Sequence, residues 1–257
     1  ENEKANVEAN GAMMHNLLDA LQDASLAHVS LVTGTKQYLG AFENYGSGKT
    51  ETPFRESAPR VPGENFYYTL EDIMFATAER DGFSWNVHRP HTVIGYARGN
   101  AMNMGVTLAV YASICKATGQ PFTFPGSQVQ WNALTDLTDS LVLARQMEWA
   151  ATTPGAHNEA FNTVNGDVFR WRRLWHEIGE FFELEVADCP ETPQPLETQM
   201  ADIAPTWAKI AEQNELVEAD VTQLASWWHT DADLGRELEC VNDVTKSRDF
   251  GFDHFRE

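Results

Sequence analysis

The chain has few cysteines, and none is placed for a zinc or redox motif. Among 257 residues there are three, Cys115, Cys189 and Cys240, and no Cys-x-x-Cys pair occurs. An odd number of widely spaced cysteines is typical of a protein from a reducing compartment rather than of a disulfide-bonded secreted protein. The sequence therefore predicts a cytoplasmic protein that has neither disulfides nor a thiolate zinc site.

Basic residues and long apolar segments are also scarce. There are 18 Lys and Arg against 38 Asp and Glu, a formal net charge of −20. Binding to nucleic acid requires a basic face, so we predict no nucleic-acid partner. No apolar run approaches the roughly 20 residues that span a bilayer. The acidic start ENEKANVEANG has no apolar segment of the kind found in signal peptides, and we predict no membrane association.

Metal-ligating residues do not cluster in the sequence. His88 and His91, in HRPH, form the most suggestive pair, but no third ligand lies near them. Zinc sites in proteins use at least three protein ligands. We predict no bound metal and interpret the pair as ordinary histidines at a strand end.

Short buried strands alternate with helices in the first part of the chain. The pattern predicts a helix over about 3–24, a strand in AHVSLVTG, a helix from Glu64 and a strand over 83–90. This alternation is typical of a parallel sheet with helices on its faces. Beyond residue 96 the pattern is mostly helical, with one further short strand in AFNTVNG.

The stretch LVTGTKQYLGAFENYGSGKT suggests two phosphate-binding signatures, but neither is complete. A P-loop ending in GKT would have its first glycine at Glu43, and TETPFRESAPRVPG cannot supply the required helix. A dinucleotide-binding turn has three close glycines that lead into a helix, whereas TKQYL separates Gly34 from Gly40. We therefore predict that this chain has no phosphate-binding loop.

The helix in ENFYYTLED lacks the lysine of a well-known catalytic motif. Short-chain dehydrogenase/reductases use Tyr-x-x-x-Lys, in which the lysine lowers the pKa of the phenol and anchors the cofactor ribose. The fourth residue after Tyr67 is Glu71, and the fourth after Tyr68 is Asp72. A carboxylate there would raise the pKa of the phenol. Either the lysine comes from elsewhere or the tyrosine is structural.

Five ordered segments carry a resemblance that covers nearly the whole chain. They resemble motifs of the progesterone 5β-reductase/iridoid synthase-like enzymes, which are atypical extended short-chain dehydrogenase/reductases. These segments are TGTKQYLGAFENYG, ENFYYTLEDIMF, FSWNVHRPHTVIGYARGNAMN, ICKATGQPFTFPGSQVQWNALTD and NEAFNTVNGDVFRWRRLW.

The resemblance implies an α/β fold with two parts. Residues 1–95 would form the carboxyl half of an NAD(P)-binding Rossmann domain with a doubly wound parallel sheet, to which 132–165 return. Residues 96–257 would form a mainly helical substrate-binding region. Family members begin with a βαβαβ half that bears the glycine-rich turn, so we expect the N-terminal part to be missing here. Both a natural fragment and a truncated sequence remain open.

The activity that the resemblance implies is NADPH-dependent reduction of the C=C bond of a small-molecule enone. The catalytic lysine of the family lies in the loop after a strand, in TG-x-K-x-Y-x-G, which corresponds to Lys36. The catalytic tyrosine is the first of NFYY, which corresponds to Tyr67. Both would also contact the cofactor. NADH is not excluded as the cofactor, because the discriminating residues lie in the absent half.

Further cofactor contacts follow from the resemblance alone. They are Val32 at the strand end, Val93 after the proline of RPHTV, and Asn100, Ala101 and Met102 along the phosphates. Family members have a serine–methionine–methionine-like run at the last three positions, so Asn100 and Ala101 depart from the pattern.

Substrate contacts are implied in the same way. Phe42 and Phe252 correspond to an aromatic gate and Trp131 to a pocket wall, with core packing an equal alternative for each. Asn10 corresponds to a helix asparagine that holds a water or a backbone bulge. A homodimer is left open.

Two other functions are alternatives to enone reduction. A carbonyl reductase or a sugar-nucleotide epimerase or dehydratase of the extended class would use Tyr-x-x-x-Lys, which Glu71 interrupts. A non-catalytic NADP-sensing regulator would be expected to lose the tyrosine and the lysine, and both are present.

Overall fold

The computed structural model describes residues 2–41, 51–97 and 102–257. The chain divides into two compact units. The first comprises Glu1–His91, Asp136–Asp167 and Val241–Glu257, and the second comprises Thr92–Thr135 and Val168–Cys240. The sequence predicted 96–257 as one helical region with only 132–165 returning to the sheet, whereas Val241–Glu257 also groups with the sheet. The assignment of substrate binding to the helical part stays a prediction.

The described residues form five named strands and eleven α-helices. The strands are β1 (His28–Val32), β2 (Ser84–Pro90), β3 (Val93–Ile94), β4 (Thr138–Asp139) and β5 (Glu159–Thr163). The helices are α1 (Glu3–Ala20), α2 (Lys36–Leu39), α3 (Phe66–Asp81), α4 (Met104–Thr118), α5 (Gln128–Asn132), α6 (Ser140–Thr152), α7 (Trp171–Phe182), α8 (Leu196–Gln199), α9 (Ala204–Gln213), α10 (Trp227–Leu234) and α11 (Thr245–Asp249).

The first unit is built on a parallel sheet with the strand order β1-β2-β5. His28 of β1 pairs with Ser84 of β2, and the register continues in parallel to Val32 and His88. Strand β2 pairs with β5 in the same sense. Helix α3 connects β1 to β2, as a parallel pair requires a crossover. The prediction of an α/β fold with a parallel sheet is confirmed.

Helices α1 and α3 pack on this sheet through a shared apolar core. Met14 of α1 and Met74 of α3 are buried together with Val87 of β2. The spacing of the buried residues along each helix, Met14 and Leu18 or Met74 and Ala78, gives one apolar face. This packing places α1 beside α3, which matters for the site described below.

The second unit has an aromatic core beneath α4 and α7. The rings of Phe122 and Trp175 are stacked with centroids 4.1 Å apart, and Phe124 meets Trp175 edge-on at 5.1 Å. The Trp175 Nε1–H donates to the carbonyl oxygen of Phe122, so the buried indole is paired.

Within the described residues, no helix combines the length and apolarity needed to cross a membrane.

Candidate active site

Lys36 begins a single helical turn rather than lying in a loop, which corrects the sequence-based expectation. The chain leaves β1 through Thr33, whose N–H donates to the carbonyl oxygen of His88 over 2.8 Å, and then enters α2. Gly40 ends the turn with a φ of 74°, in the left-handed region that favours glycine. Lys36 is buried at the carboxyl end of the parallel strands.

Tyr67 is held near Lys36 by the residue that caps its helix. The Asn65 side chain accepts a hydrogen bond from the Tyr67 N–H over 3.0 Å, as an N-cap does. The amide nitrogen of Asn65 donates to the Lys36 carbonyl oxygen over 2.9 Å. One buried side chain therefore fixes the start of α3 against the turn that carries the lysine.

The Lys36 ammonium group lies between a carboxylate and two aromatic rings. Its Nζ is 2.7 Å from Oε2 of Glu3, the first residue of α1. The same Nζ is 4.7 Å from the centroid of the Phe66 ring and 5.9 Å from that of Tyr67. Glu3 uses its other oxygen, Oε1, to accept the Phe66 N–H over 2.9 Å. Lys36, Glu3 and the first turn of α3, which carries Phe66 and Tyr67, form one connected cluster.

This environment sets the protonation of the carboxyl and the phenol. Burial alone would raise the pKa of Glu3, but hydrogen bonds from Lys36 and from the Phe66 N–H, with the lysine charge, lower it overall. Burial raises the pKa of Tyr67, and the negative charge of Glu3 raises it further. Tyr67 is therefore a protonated phenol, a hydrogen-bond donor, at neutral pH.

The carboxylate four residues after Tyr67 has a different role from the one that its position suggests. Glu71 is buried and bonds to Arg89 over 3.1 Å and to Arg60 over 2.9 Å. The carboxylate that raises the pKa of Tyr67 is Glu3, not Glu71. Glu71, the acidic residue of the interrupted motif, is thus paired with two arginines.

The second tyrosine of the motif is part of the framework. The Tyr68 hydroxyl donates to the Gln37 carbonyl oxygen over 2.8 Å and accepts the Val61 N–H over 3.1 Å. Both bonds bind α3 to the segments around it. Of the two tyrosines, only Tyr67 is placed beside Lys36.

Gly34 leaves space beside the Tyr67 hydroxyl. A β-carbon at this position would lie 3.5 Å from the hydroxyl oxygen of Tyr67 and 3.2 Å from the carbonyl oxygen of Pro90. In the sequence motifs Gly34 appears only as a turn residue. A side chain here would stand next to the phenol.

Sequence reasoning missed Glu3 and Asn65 as members of this cluster. Asn65 had a recognisable signal, because an asparagine directly before an apolar helix is a typical N-cap. Glu3 had none, since it lies 33 positions before the lysine that it binds. Only the packing of α1 beside α3 brings the two together.

The other predicted cofactor residues are placed as follows. Val32 is the last residue of β1 and is exposed at the end of that strand. Val93 and Met102 belong to the second unit and are also exposed. Asn100 and Ala101 lie outside the described residues. These contacts stay predictions.

The predicted substrate residues are not tested by the structure. Trp131 of α5 packs against Phe124 in the second unit, with ring centroids 5.0 Å apart. Phe252 is buried and packs against Trp149 in the first unit, with centroids 5.3 Å apart. Phe42 lies outside the described residues. Asn10, half-buried in α1, donates from its amide nitrogen to the Asn6 carbonyl oxygen.

The two histidines of HRPH are buried and hydrogen-bonded. Nδ1 of His88 is 2.9 Å from Oε1 of Gln146, and burial lowers the pKa of His88 to about 4. Nδ1 of His91 is 2.9 Å from Oδ1 of Asp136. In the part of the chain that the structure describes, no three His, Cys, Asp or Glu residues are grouped to hold a metal ion.

The family model described as a PRISE-like Rossmann-fold domain matches residues 1–224. The (S)-8-oxocitronellyl enol synthase of Nepeta cataria is 41% identical over 258 residues, 99% of this chain and 66% of that protein. The enol synthase of Camptotheca acuminata is 41% identical over 255 residues, 97% and 65% of the two chains. The 3-oxo-Delta(4,5)-steroid 5-beta-reductase of Arabidopsis thaliana is 39% identical over 260 residues, 100% and 67%. The chain spans about two thirds of the length of these relatives.

Solved structures with low sequence identity share the fold. UDP-glucose 4-epimerase from Thermotoga maritima, solved with UDP-glucose, has a TM-score of 0.54 at 15% identity and covers 74% of this chain and 59% of its own. RMD from Pseudomonas aeruginosa, complexed with NADPH, has a TM-score of 0.57 at 15% identity and covers 73% and 63%. The curated matches confirm the resemblance seen in the sequence motifs.

Proposed function

This chain belongs to the PRISE-like Rossmann-fold family, and on that premise we propose that it reduces the C=C bond of α,β-unsaturated carbonyl compounds with NADPH. The observation that carries the proposal is the pairing of Lys36 with Tyr67, whose ring centroid lies 5.9 Å from the Lys36 Nζ. The names of the relatives, an enol synthase and a steroid 5-beta-reductase, support this reaction class.

The residues at this sheet edge fit one end of a nicotinamide cofactor. Ligands of doubly wound sheets bind outside the carboxyl ends of the strands, which is where β1 leads into Gly34 and Lys36. A β-carbon at Gly34 would lie 3.5 Å from the Tyr67 hydroxyl oxygen, and the buried Thr33 Oγ1 has no hydrogen-bond partner among the described residues. We propose that Val32, Lys36 and Tyr67 hold the ribose and nicotinamide. The choice of NADPH over NADH rests on the family alone.

The reduction needs a hydrogen-bond donor for the carbonyl oxygen. When bound, NADPH would supply the hydride that is added to the β carbon of the enone; negative charge would develop on the carbonyl oxygen, and a proton from water would complete the reduction at the α carbon. The Tyr67 hydroxyl donates a hydrogen bond to that oxygen, and the positive charge of Lys36 favours the same charge development. Because burial and Glu3 raise the pKa of Tyr67, the phenol is in the donor form at neutral pH.

The rival functions rest on weaker observations. An epimerase or carbonyl reductase of the extended class would use a lysine at position 71, and the glutamate there bonds to two arginines. The likeness to the epimerase structure concerns the fold alone. A regulator without catalysis has no need of a buried lysine beside a half-buried tyrosine.

The test is an assay of NADPH oxidation with cyclohexenone and with benzaldehyde. Since the chain spans about two thirds of its relatives, the assay uses the complete product of the gene. We expect turnover of the enone alone, with at least about a 100-fold loss in Lys36→Met and in Tyr67→Phe. Lys116→Met, at an exposed lysine of α4, is the matched control and should keep the wild-type rate.

Each alternative outcome has a definite meaning. Wild-type rates in both single variants would refute the catalytic assignment. Turnover of the aldehyde alone would support the carbonyl reductase, and no turnover of either compound would support the regulator. A double variant no slower than each single variant would show that the two residues act as one unit.

Compartment and assembly remain proposals as well. We propose a cytoplasmic protein, because none of its three cysteines forms a disulfide in the described structure and two of them, Cys115 and Cys240, are buried. A homodimer is tested by light scattering on the purified protein. A small-molecule enone is the partner that the proposed reaction requires.

A further inference from the structure

We propose that Glu3 is a positioning residue that holds the Lys36 ammonium group beside Tyr67 and balances its charge, an inference that rests on the proposed function. In this arrangement the positive charge of Lys36 can favour negative charge on the substrate oxygen without causing the Tyr67 phenol to lose its proton. The residue lies 64 positions before Tyr67 and belongs to no motif of the sequence.

The geometry shows a carboxylate with both oxygens engaged. Oε2 accepts from Lys36 Nζ over 2.7 Å, and Oε1 accepts from the Phe66 N–H over 2.9 Å. Lys36 is 4% exposed and Glu3 7%, so solvent screens this pair much less than an exposed one. A buried charge pair with satisfied oxygens is held in one arrangement, because breaking it leaves an unpaired charge.

The second hydrogen bond connects the pair to the catalytic helix. Phe66 is the first residue of α3, and its N–H is one of the donors that a helix start leaves without an intrahelical partner. A carboxylate at this end also meets the positive end of the helix dipole. Glu3 thus couples the position of Lys36 to the first turn of α3, in which Tyr67 is the next residue.

The charges around Tyr67 come from several elements. Glu3 on α1 supplies the anion and Lys36 on α2 the cation. Other charged groups around α3 are paired with one another: Glu71 and Asp72 on the helix with Arg60 in the segment before it and Arg89 on β2, and Arg80 with Asp81 at the C-terminal end of the helix. Glu3 is therefore the anion placed to offset Lys36 at the phenol.

The charge balance suits the proposed chemistry. In the ordinary Tyr-x-x-x-Lys motif the lysine lowers the pKa of the phenol, which favours a tyrosine that gives up its proton. Here burial and Glu3 together raise the pKa of Tyr67. A phenol that keeps its proton can donate a hydrogen bond to a developing enolate oxygen throughout the physiological pH range.

The decisive variant is Glu3→Gln, which removes the charge but keeps the shape and an oxygen for the Phe66 N–H. Its matched control is Glu8→Gln, an exposed glutamate on the same helix. The readout is the titration of Tyr67 in protein labelled with ¹³C at the tyrosine ring, with the resonance assigned by its loss in Tyr67→Phe. We expect the Tyr67 titration to move to lower pH in Glu3→Gln and to stay unchanged in Glu8→Gln.

Enzyme activity gives a second readout. The alkaline limb of the kcat profile should move to lower pH in Glu3→Gln, since the protonated phenol is the active form. The loss at the pH optimum should be smaller than the roughly 100-fold expected for removal of the hydrogen-bond donor itself. Glu8→Gln should reproduce the wild-type profile.

A further pair of variants keeps the test decisive if an unpaired Lys36 disturbs folding. Lys36→Met alone should move the Tyr67 titration to higher pH. Glu3→Gln combined with Lys36→Met removes both charges and should return the titration close to that of the wild type.

The outcome that overturns the inference is a Tyr67 titration that is the same in Glu3→Gln as in the wild type, and the same in the double variant as in Lys36→Met, with only the melting temperature lowered. Glu3 would then be a structural residue. The NMR titration does not require turnover, so this failure is distinct from that of the proposed function, which an absence of enone reduction would reveal.

Discussion

Gly34→Ala adds one methyl group beside the proposed hydrogen-bond donor. The new carbon would lie 3.5 Å from the Tyr67 hydroxyl oxygen, 3.6 Å from the Tyr67 Cε2 atom and 3.2 Å from the carbonyl oxygen of Pro90. The contacts with Tyr67 are ordinary van der Waals distances. The contact with Pro90 is tight and requires a shift of a few tenths of an ångström.

The expected effect on activity is large because of where the methyl group lies. A carbonyl oxygen must come within about 3 Å of the hydroxyl to accept its hydrogen bond. A carbon 3.5 Å from the same hydroxyl covers one side of that approach. A displacement of about 1 Å can lower turnover about 100-fold, and we expect a loss of this order.

The expected effect on stability is small. The backbone of Gly34 is not in the left-handed region, so alanine can adopt its conformation. A compatible glycine-to-alanine change stabilises a protein by about 0.4–1 kcal/mol through the unfolded chain, and the contact with Pro90 opposes this gain. We therefore expect the free energy of unfolding to change by less than about 1 kcal/mol.

The measurement combines kcat for cyclohexenone with denaturant unfolding. Gly155→Ala is the matched control, because a β-carbon there would meet nothing within 4 Å. Wild-type turnover in a normally folded Gly34→Ala protein would show that the substrate oxygen does not approach Tyr67 from this side. That result would refute the reasoning.

Two further predictions concern buried charges in the first unit. Glu71→Ala should lower the free energy of unfolding by about 3–5 kcal/mol, because Arg89 loses its partner in a buried position. Asp72→Ala removes one partner of an exposed pair and should lower it by less than about 1 kcal/mol. Equal effects of the two substitutions would contradict this prediction. Since the pKa of His88 is about 4 instead of 6.5, the unfolded chain takes up the proton first, and stability should fall as the pH drops from 6.5 towards 4. Denaturant unfolding across this pH range should show a smaller fall in the free energy of unfolding for His88→Gln than for the wild type. His15→Gln, at an exposed histidine, should show the same fall as the wild type. A fall in His88→Gln equal to that of the wild type would contradict the assignment.

Local patterns were sufficient to predict the sheet. Apolar runs bounded by turn residues indicated β1, β2 and β5, and the helices between them implied parallel pairing, which the register confirms. The alternation of strands and helices can be predicted from the spacing of apolar residues, which is a local property of the sequence. The single turn of α2 was not predicted, because a helix of four residues has too short a periodic signal.

The cluster around the phenol could be predicted only in part. The motif resemblance pointed to Lys36 and Tyr67, and the structure places them side by side. It could not point to Glu3, because its contact with Lys36 depends on how α1 packs against the sheet and α3. The pairing of Glu71 with Arg89 had no signal either, since they lie 18 positions apart, one on α3 and the other on β2.

These two acidic residues together explain why the lysine lies where it does. A lysine at position 71 would place a third cation beside Arg60 and Arg89, which already share the single carboxylate of Glu71. Like charges at such distances in a buried position are unfavourable. The lysine on α2 meets instead the carboxylate of Glu3, which both neutralises it and bonds to the start of α3. The glutamate of the interrupted motif and the lysine on the preceding turn are therefore two parts of one charge arrangement, in which a cation lies beside the phenol without depriving it of its proton.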